Sequence, residues 1–171
     1  RKNNQITLRV VGFYDAPYKE AIDTRIRELG LQGSISFTGL LPTHADVLNE
    51  IQRAQYALLP LKIDITSSTI REAMACGLPV VTTITTDGTP MLNEQRETVL
   101  LSAIGDHQAL ADNMLKLIND SSLAERLRVN GELLMKERYG NFAAVKRQIA
   151  CLYAARSYFL EKVPIPADLV V

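Results

Sequence analysis

The sequence predicts an α/β domain on a doubly wound parallel sheet, Rossmann-like, with helices on both faces and a C-terminal helical cluster. Three observations predict it. β-Branched or apolar runs alternate with segments of helical periodicity up to residue 101. Several of these runs are apolar on both faces, as strands buried inside a parallel sheet are. Beyond residue 105, three segments with apolar residues at helical spacing follow one another without an intervening strand.

Taken in order, "ITLRVVG" at 6–12 is a strand, and a Pro-containing turn leads to a helix over 17–30. "SISFTG" at 34–39 is the second strand, and 43–54 the second helix, with Thr43 and Asp46 spaced as a capping pair. "QYALLPL" at 55–61 is the third strand. A helix over 68–76 is stopped by Gly77 and Pro79, and "PVVTT" at 79–83 is the fourth strand. "ETVLL" at 97–101 is a short fifth one. Helices over 106–120, 122–139 and 141–162 complete the domain, and the Pro-broken "VPIPADLVV" forms a tail. The reading is one Rossmann-like domain over residues 1–160 and a tail over 161–171.

Composition narrows the partners. Nineteen basic residues balance nineteen acidic ones among 171, so no overall field gathers polyanions and nucleic acid is not expected as a partner. Cys76 and Cys151 are too few for a disulfide framework and lack metal-ligand spacing, which suits packing roles in a reducing compartment. No apolar run approaches the ~20 residues of a spanning helix, so a cytoplasmic location is expected. No Gly-rich dinucleotide fingerprint and no GxxxxGK[ST] motif occurs.

In doubly wound sheets ligands sit beyond the carboxyl ends of the strands, here the loops after residues 12, 39, 61 and 83. The third of these is "DITSSTIRE" at 64–72, in which Asp64 and Glu72 enclose Thr66, Ser67, Ser68 and Thr69. Free amides and the positive end of the helix dipole favour an anion there, and a carboxylate in the first turns can accept from sugar hydroxyls. An ordinary N-cap has the same residue types. Spacing alone leaves both readings standing.

The longer stretch "LLPLKIDITSSTIREAMACGLPVVTTITTDGTPML" at 58–92 resembles the donor-binding half of the group 1 (GT4-like) glycosyltransferases, which have the two-domain GT-B fold. The family pattern of a Pro-ended strand, an acid, seven residues, "EAMACGxPVV" and a Gly-x-Pro turn falls on Pro60, Asp64, Glu72 and Gly88-Thr89-Pro90. "LRVVG", "RELGLQGSISFTGLLP" and "GDHQALADNMLKLINDSSLAERLRVNG" look like further parts of the family's C-terminal domain.

The resemblance implies that Glu72 holds the ribose of a nucleotide-sugar and that the amides around Ser67, Ser68, Thr69 and Ile70 face its diphosphate or sugar. By the same resemblance Asp64 faces the transferred sugar as the catalytic-side residue, and Thr38, Gly39, Leu40 and Leu41 border the nucleobase. Gly88, Thr89 and Pro90 complete the donor-binding set. No cofactor and no metal is implied, the nucleotide-sugar being a substrate, and most members transfer with retention, in polysaccharide, lipopolysaccharide or other glycan synthesis.

Two departures stand out. The family usually has Glu where this chain has Asp64, and Phe-Gly where it has Thr66-Ser67. The family's C-terminal domain also begins with an earlier strand and helix carrying an Arg and a Lys-Gly that grip the diphosphate, after a preceding acceptor domain. The chain therefore reads as an excised donor domain, inactive alone, whose partners are a nucleotide-sugar and the missing N-terminal acceptor domain, with membrane association only through parts not present.

Remaining candidates are weaker. Lys62 and Arg71 are stand-ins for the phosphate clamp or solvated cations. His44 and His107, near helix starts and without a Ser, Cys or His partner, read as capping or surface residues. Phe142, Val145, Ile149, Leu152, Tyr153 and Phe159 read as core or as a face for the missing domain. The competing functions are a nucleotide-sugar epimerase of the same fold and a non-catalytic α/β interaction module.

Overall fold

The computed structural model describes residues 6–63, 67–86 and 88–169. The chain divides into two compact units, one up to Ala54 and the other from Gln55 onward. Each carries a parallel sheet with flanking helices, so the α/β, Rossmann-like class read from the sequence is the observed one.

The first unit consists of β1 (Leu8–Val11), α1 (Ala16–Glu28), β2 (Ile35–Gly39) and α2 (His44–Arg53). β1 and β2 pair in parallel, Leu8 opposite Ile35, and the register slips between Val10 and Val11 so that Val11 faces Gly39. The predicted capping box at α2 is present. The Thr43 amide donates to Asp46 Oδ2 at 3.1 Å, and the Asp46 amide donates to Thr43 Oγ1 at 3.2 Å. Arg9 on β1 pairs with Glu50 on α2 across the sheet face. Two strands cannot cover both their faces, and most of β1 is exposed.

The second unit consists of β3 (Ala57–Leu59), α3 (Ser68–Ala75), β4 (Val80–Thr83), a 3-10 turn (Thr89–Asn93), β5 (Val99–Ser102), α4 (His107–Asn119), α5 (Ser121–Arg138), α6 (Asn141–Glu161) and a second 3-10 turn (Ala167–Leu169). The strand order is β3-β4-β5, all parallel. The central strand β4 is buried along its whole length, as the two-faced apolar pattern required. On one side Val81 and Leu100 join Leu117, Leu123 and Leu127 in a closed cluster.

β4 ends in two threonines whose hydroxyls are satisfied by the neighbouring strand. Thr82 Oγ1 donates to the Leu59 carbonyl at 2.7 Å, and Thr83 Oγ1 donates to that of Leu61. These bonds lock the carboxyl ends of β3 and β4 together, and an unpaired hydroxyl at this depth would be costly. α3 stops as expected from "ACGLPVV". The Gly77 amide bonds the Met74 carbonyl and the Leu78 amide bonds that of Ala73, a Schellman closure for which Gly77 takes a φ of 78°. Leu78 then turns into the core and the chain enters β4.

Several expectations shift. β5 begins at Val99 rather than Glu97, because the Asn93 side chain takes up the Thr98 and Val99 amides. The Gly-x-Pro turn opens a 3-10 segment, and the tail carries one as well. The apolar residues of α6 are not core within this chain: Phe142 is 85% and Phe159 78% exposed. His44 and His107 are the first residues of α2 and α4, next to the caps Thr43 and Asp106. Cys76 and Cys151 are free and half-buried. Among the described residues no helix is long and apolar enough to cross a membrane.

Candidate functional site

The loop after β3 and the first turn of α3 form the centre of the candidate site. Ser67 is the N-cap of α3 in extended backbone, and its Oγ accepts the Ile70 amide at 3.3 Å. The amides of Ser68 and Thr69, in the same turn, have no intrahelical acceptor and point out of the helix end. Both of these residues are exposed, while Ile70 is 1% exposed and anchors the turn in the core. The cap takes up the Ile70 amide, and those of Ser68 and Thr69 have no acceptor within the helix.

Glu72 lies one turn further along α3 and is half-buried. Asp64, the predicted sugar-facing acid, lies outside the described residues, as does Thr66. Thr38, Gly39, Leu40 and Leu41 belong to the first unit, where Thr38 Oγ1 donates to the Gly39 carbonyl at 2.8 Å and Leu40 is 74% exposed.

The structure does bring the Gly-x-Pro turn to α3. Ser67, Ile70 and Arg71 line one wall of a small pocket, and Gly88, Thr89, Met91 and Leu92 another. Its third wall is Tyr139, the C-cap of α5. The enclosed space is about 10 Å³, about the room of one water.

The turn itself is held from inside. Thr89 Oγ1 donates to the Thr83 carbonyl at 2.6 Å and accepts the Thr85 amide at 2.9 Å, and the Thr89 amide donates to Thr85 Oγ1 at 3.1 Å. The Thr89 hydroxyl is thus committed to the fold; Gly88 is buried and Pro90 exposed.

Sequence reasoning left Arg71 undecided and missed Tyr139. The Arg71 guanidinium stands over the Tyr139 ring, 5.2 Å from its centroid, and its Nε donates to the Ser67 carbonyl at 3.3 Å. The contact joins residues far apart in sequence, to which local periodicity is blind. Lys62 is exposed. A larger groove, about 970 Å³, lies within the first unit against Tyr14, Lys19, Asp23 and Phe37, and none of the predicted site residues lines it. Its Lys19 is already paired with Asp23 and packed over Phe37, so its charge is taken up locally.

With this geometry in view, similarity to known proteins is consistent across three comparisons. A 2-deoxystreptamine N-acetyl-D-glucosaminyltransferase of Niallia circulans is 30% identical over 116 residues, 68% of this chain and 29% of that protein. The crystal structure of HepE from Anabaena in complex with UDP superposes with a TM-score of 0.75 at 24% identity, covering 89% of this chain and 42% of the other. Sucrose-phosphate synthase from Thermosynechococcus elongatus gives 0.72 at 26% identity, covering 90% and 38%. The chain thus spans well under half the length of these relatives, and shares with the solved ones the Rossmann-like fold of the GT-B type. The family model described as glycosyl transferases group 1 matches residues 1–133, the span that holds the α3 turn and the Gly-x-Pro turn, and this chain belongs to that family.

Proposed function

We propose that this chain is the donor-binding domain of a glycosyltransferase that moves a sugar from a nucleotide-sugar to an acceptor. The observation that carries the reading is the first turn of α3, where Ser67 caps Ile70 and leaves the Ser68 and Thr69 amides open beside Glu72. A diphosphate on those amides gains from the helix dipole, and Glu72 accepts from the ribose hydroxyls. By the family pattern Asp64 is the acid assigned to the sugar, and the Gly88-Thr89-Pro90 turn keeps the mouth in shape.

In this reading the departing diphosphate is stabilised by fixed amides and a basic side chain, electrostatic preorganisation that needs no metal. The sugar is transferred with retention into a glycan in the cytoplasm, a further domain supplies the acceptor, and any membrane contact is peripheral. UDP in the HepE structure and the transferase named for the Niallia circulans relative support the nucleotide-sugar class.

Calorimetric titration with UDP-, GDP- and ADP-sugars tests the role of Glu72. Glu72→Ala is expected to weaken nucleotide binding by roughly 1–3 kcal/mol through loss of a charge-assisted hydrogen bond. Equal affinity of the variant and the parent chain would assign Glu72 to the helix alone.

A further inference from the structure

We infer that the segment 94–97 is a charge-matched strap that ties the Gly-x-Pro turn to the end of α5 and so sets the shape of the small pocket between them, with Arg96 and Glu137 as positioning residues. Its bearing on nucleotide affinity rests on the donor-site reading. Glu94 Oε2 accepts from Arg138 Nη1 at 3.4 Å, Glu137 accepts from both terminal nitrogens of Arg96 at 2.8 and 3.5 Å, and Glu97 Oε2 accepts from Arg126 Nη2 at 3.3 Å. The Glu97 carbonyl also accepts from Asn130 Nδ2 at 2.8 Å. The segment thus runs antiparallel to α5, and each ion pair joins the two.

Alone, an exposed pair of this kind contributes little. Together the pairs specify a register. Sliding the segment by one α5 residue brings Glu94 to Glu137 in one direction or Arg96 to Arg138 in the other, like charge against like. The strap also lies next to the pocket. Glu94 directly follows the 3-10 turn and Arg138 directly precedes Tyr139, while Gly88, Thr89, Met91 and Leu92 form one wall of the pocket and Tyr139 another. The Thr85–Thr89 bonds hold the start of the turn, and the strap holds its end.

The test uses the whole chain with Arg96→Glu, Glu137→Arg and the two combined, read by two-dimensional amide NMR without ligand and by calorimetry with UDP, GDP and ADP. Each single reversal sets like charges against each other and is expected to shift the Gly88 and Thr89 amides, which belong to none of the pairs. The double variant restores opposite charges and should return them toward their parental positions. Arg96→Gln, which removes the pair without adding a repulsion, should shift the same amides less. For the diphosphate the parent binds, each single reversal is expected to lower affinity about threefold or more, and the double variant to recover most of it.

Single reversals that leave the Gly88 and Thr89 amides in place, or a double variant that recovers neither the shifts nor the affinity, overturn the strap and leave the donor site standing. Shifted amides with parental affinity overturn its bearing on binding. A parent chain that binds none of the three diphosphates overturns the donor-site reading instead, and the ligand-free amides then decide the strap.

Discussion

Thr85 and Thr89 are bonded reciprocally through backbone and side chain: each amide donates to the other's hydroxyl, at 2.9 and 3.1 Å, with both residues only 2% exposed. The pair turns the chain after β4 and presents Gly88 to the first turn of α3. Thr89→Val keeps the volume but strands the Thr85 amide and the Thr83 carbonyl. A loss of roughly 1–3 kcal/mol in chemical denaturation is expected, and Thr89→Ser should recover most of it. Equal stability of the Val variant would mean that the network does not hold the turn.

Helix α3 packs closely on α5 at Gly131, against Met74. A Cβ there would lie 3.3 Å from Met74 Cε and 3.5 Å from its Cγ. Met74 is a flexible side chain, so Gly131→Ala asks for a shift of a few tenths of an ångström and gains helix propensity of up to ~1 kcal/mol. A near-neutral effect is expected. Gly131→Leu overpacks the contact and should cost ~1–3 kcal/mol in thermal or chemical unfolding. It should also weaken nucleotide binding, because α3 carries Ser67 to Glu72; a destabilised variant with parental affinity would separate the helix contact from the site.

The N-cap of α5 gives the chain an acid-sensitive joint. Asp120 Oδ1 accepts the Leu123 and Ser122 amides at 3.0 Å, which together with the Ser122 hydroxyl holds its carboxyl below the ordinary carboxylate range. Because the folded value is depressed, the contribution is complete above the unfolded value near 3.8 and is lost as pH falls through the folded one. Asp120→Asn keeps an acceptor and removes the charge. Its melting temperature should approach that of the parent as pH falls well below 3.8 and fall short of it at neutral pH. A constant gap at all pH values would contradict the assignment.

The fold was legible where local pattern and long-range packing ask for the same thing. The β4 run "PVVTT" is apolar where it is buried on both faces, the Thr43–Asp46 spacing gives the observed capping box, and "ACGLP" ends α3 in the observed Schellman closure. It was not legible where a side chain overrides the backbone, as when Asn93 takes the amides that would have extended β5 toward Glu97. In the site, Ser67 and its turn could be read from a capping residue at a strand's carboxyl end. The stack of Arg71 on Tyr139 could not, since it depends on where α5 ends in space. For α6, periodicity identified the apolar residues and was silent on what they face; Phe142 and Phe159 stand exposed.

The central claim is that the Ser68 and Thr69 amides receive a nucleotide-sugar diphosphate. Two-dimensional amide NMR of the chain during titration with UDP-, GDP- and ADP-sugars tests it most directly. The account predicts that one of the three moves the Ser68 and Thr69 amide resonances most, with smaller shifts at Ile70 and Glu72, and that Glu72→Ala suppresses the response. Absence of any shift between Ser67 and Glu72 with all three sugars at millimolar concentration would contradict it.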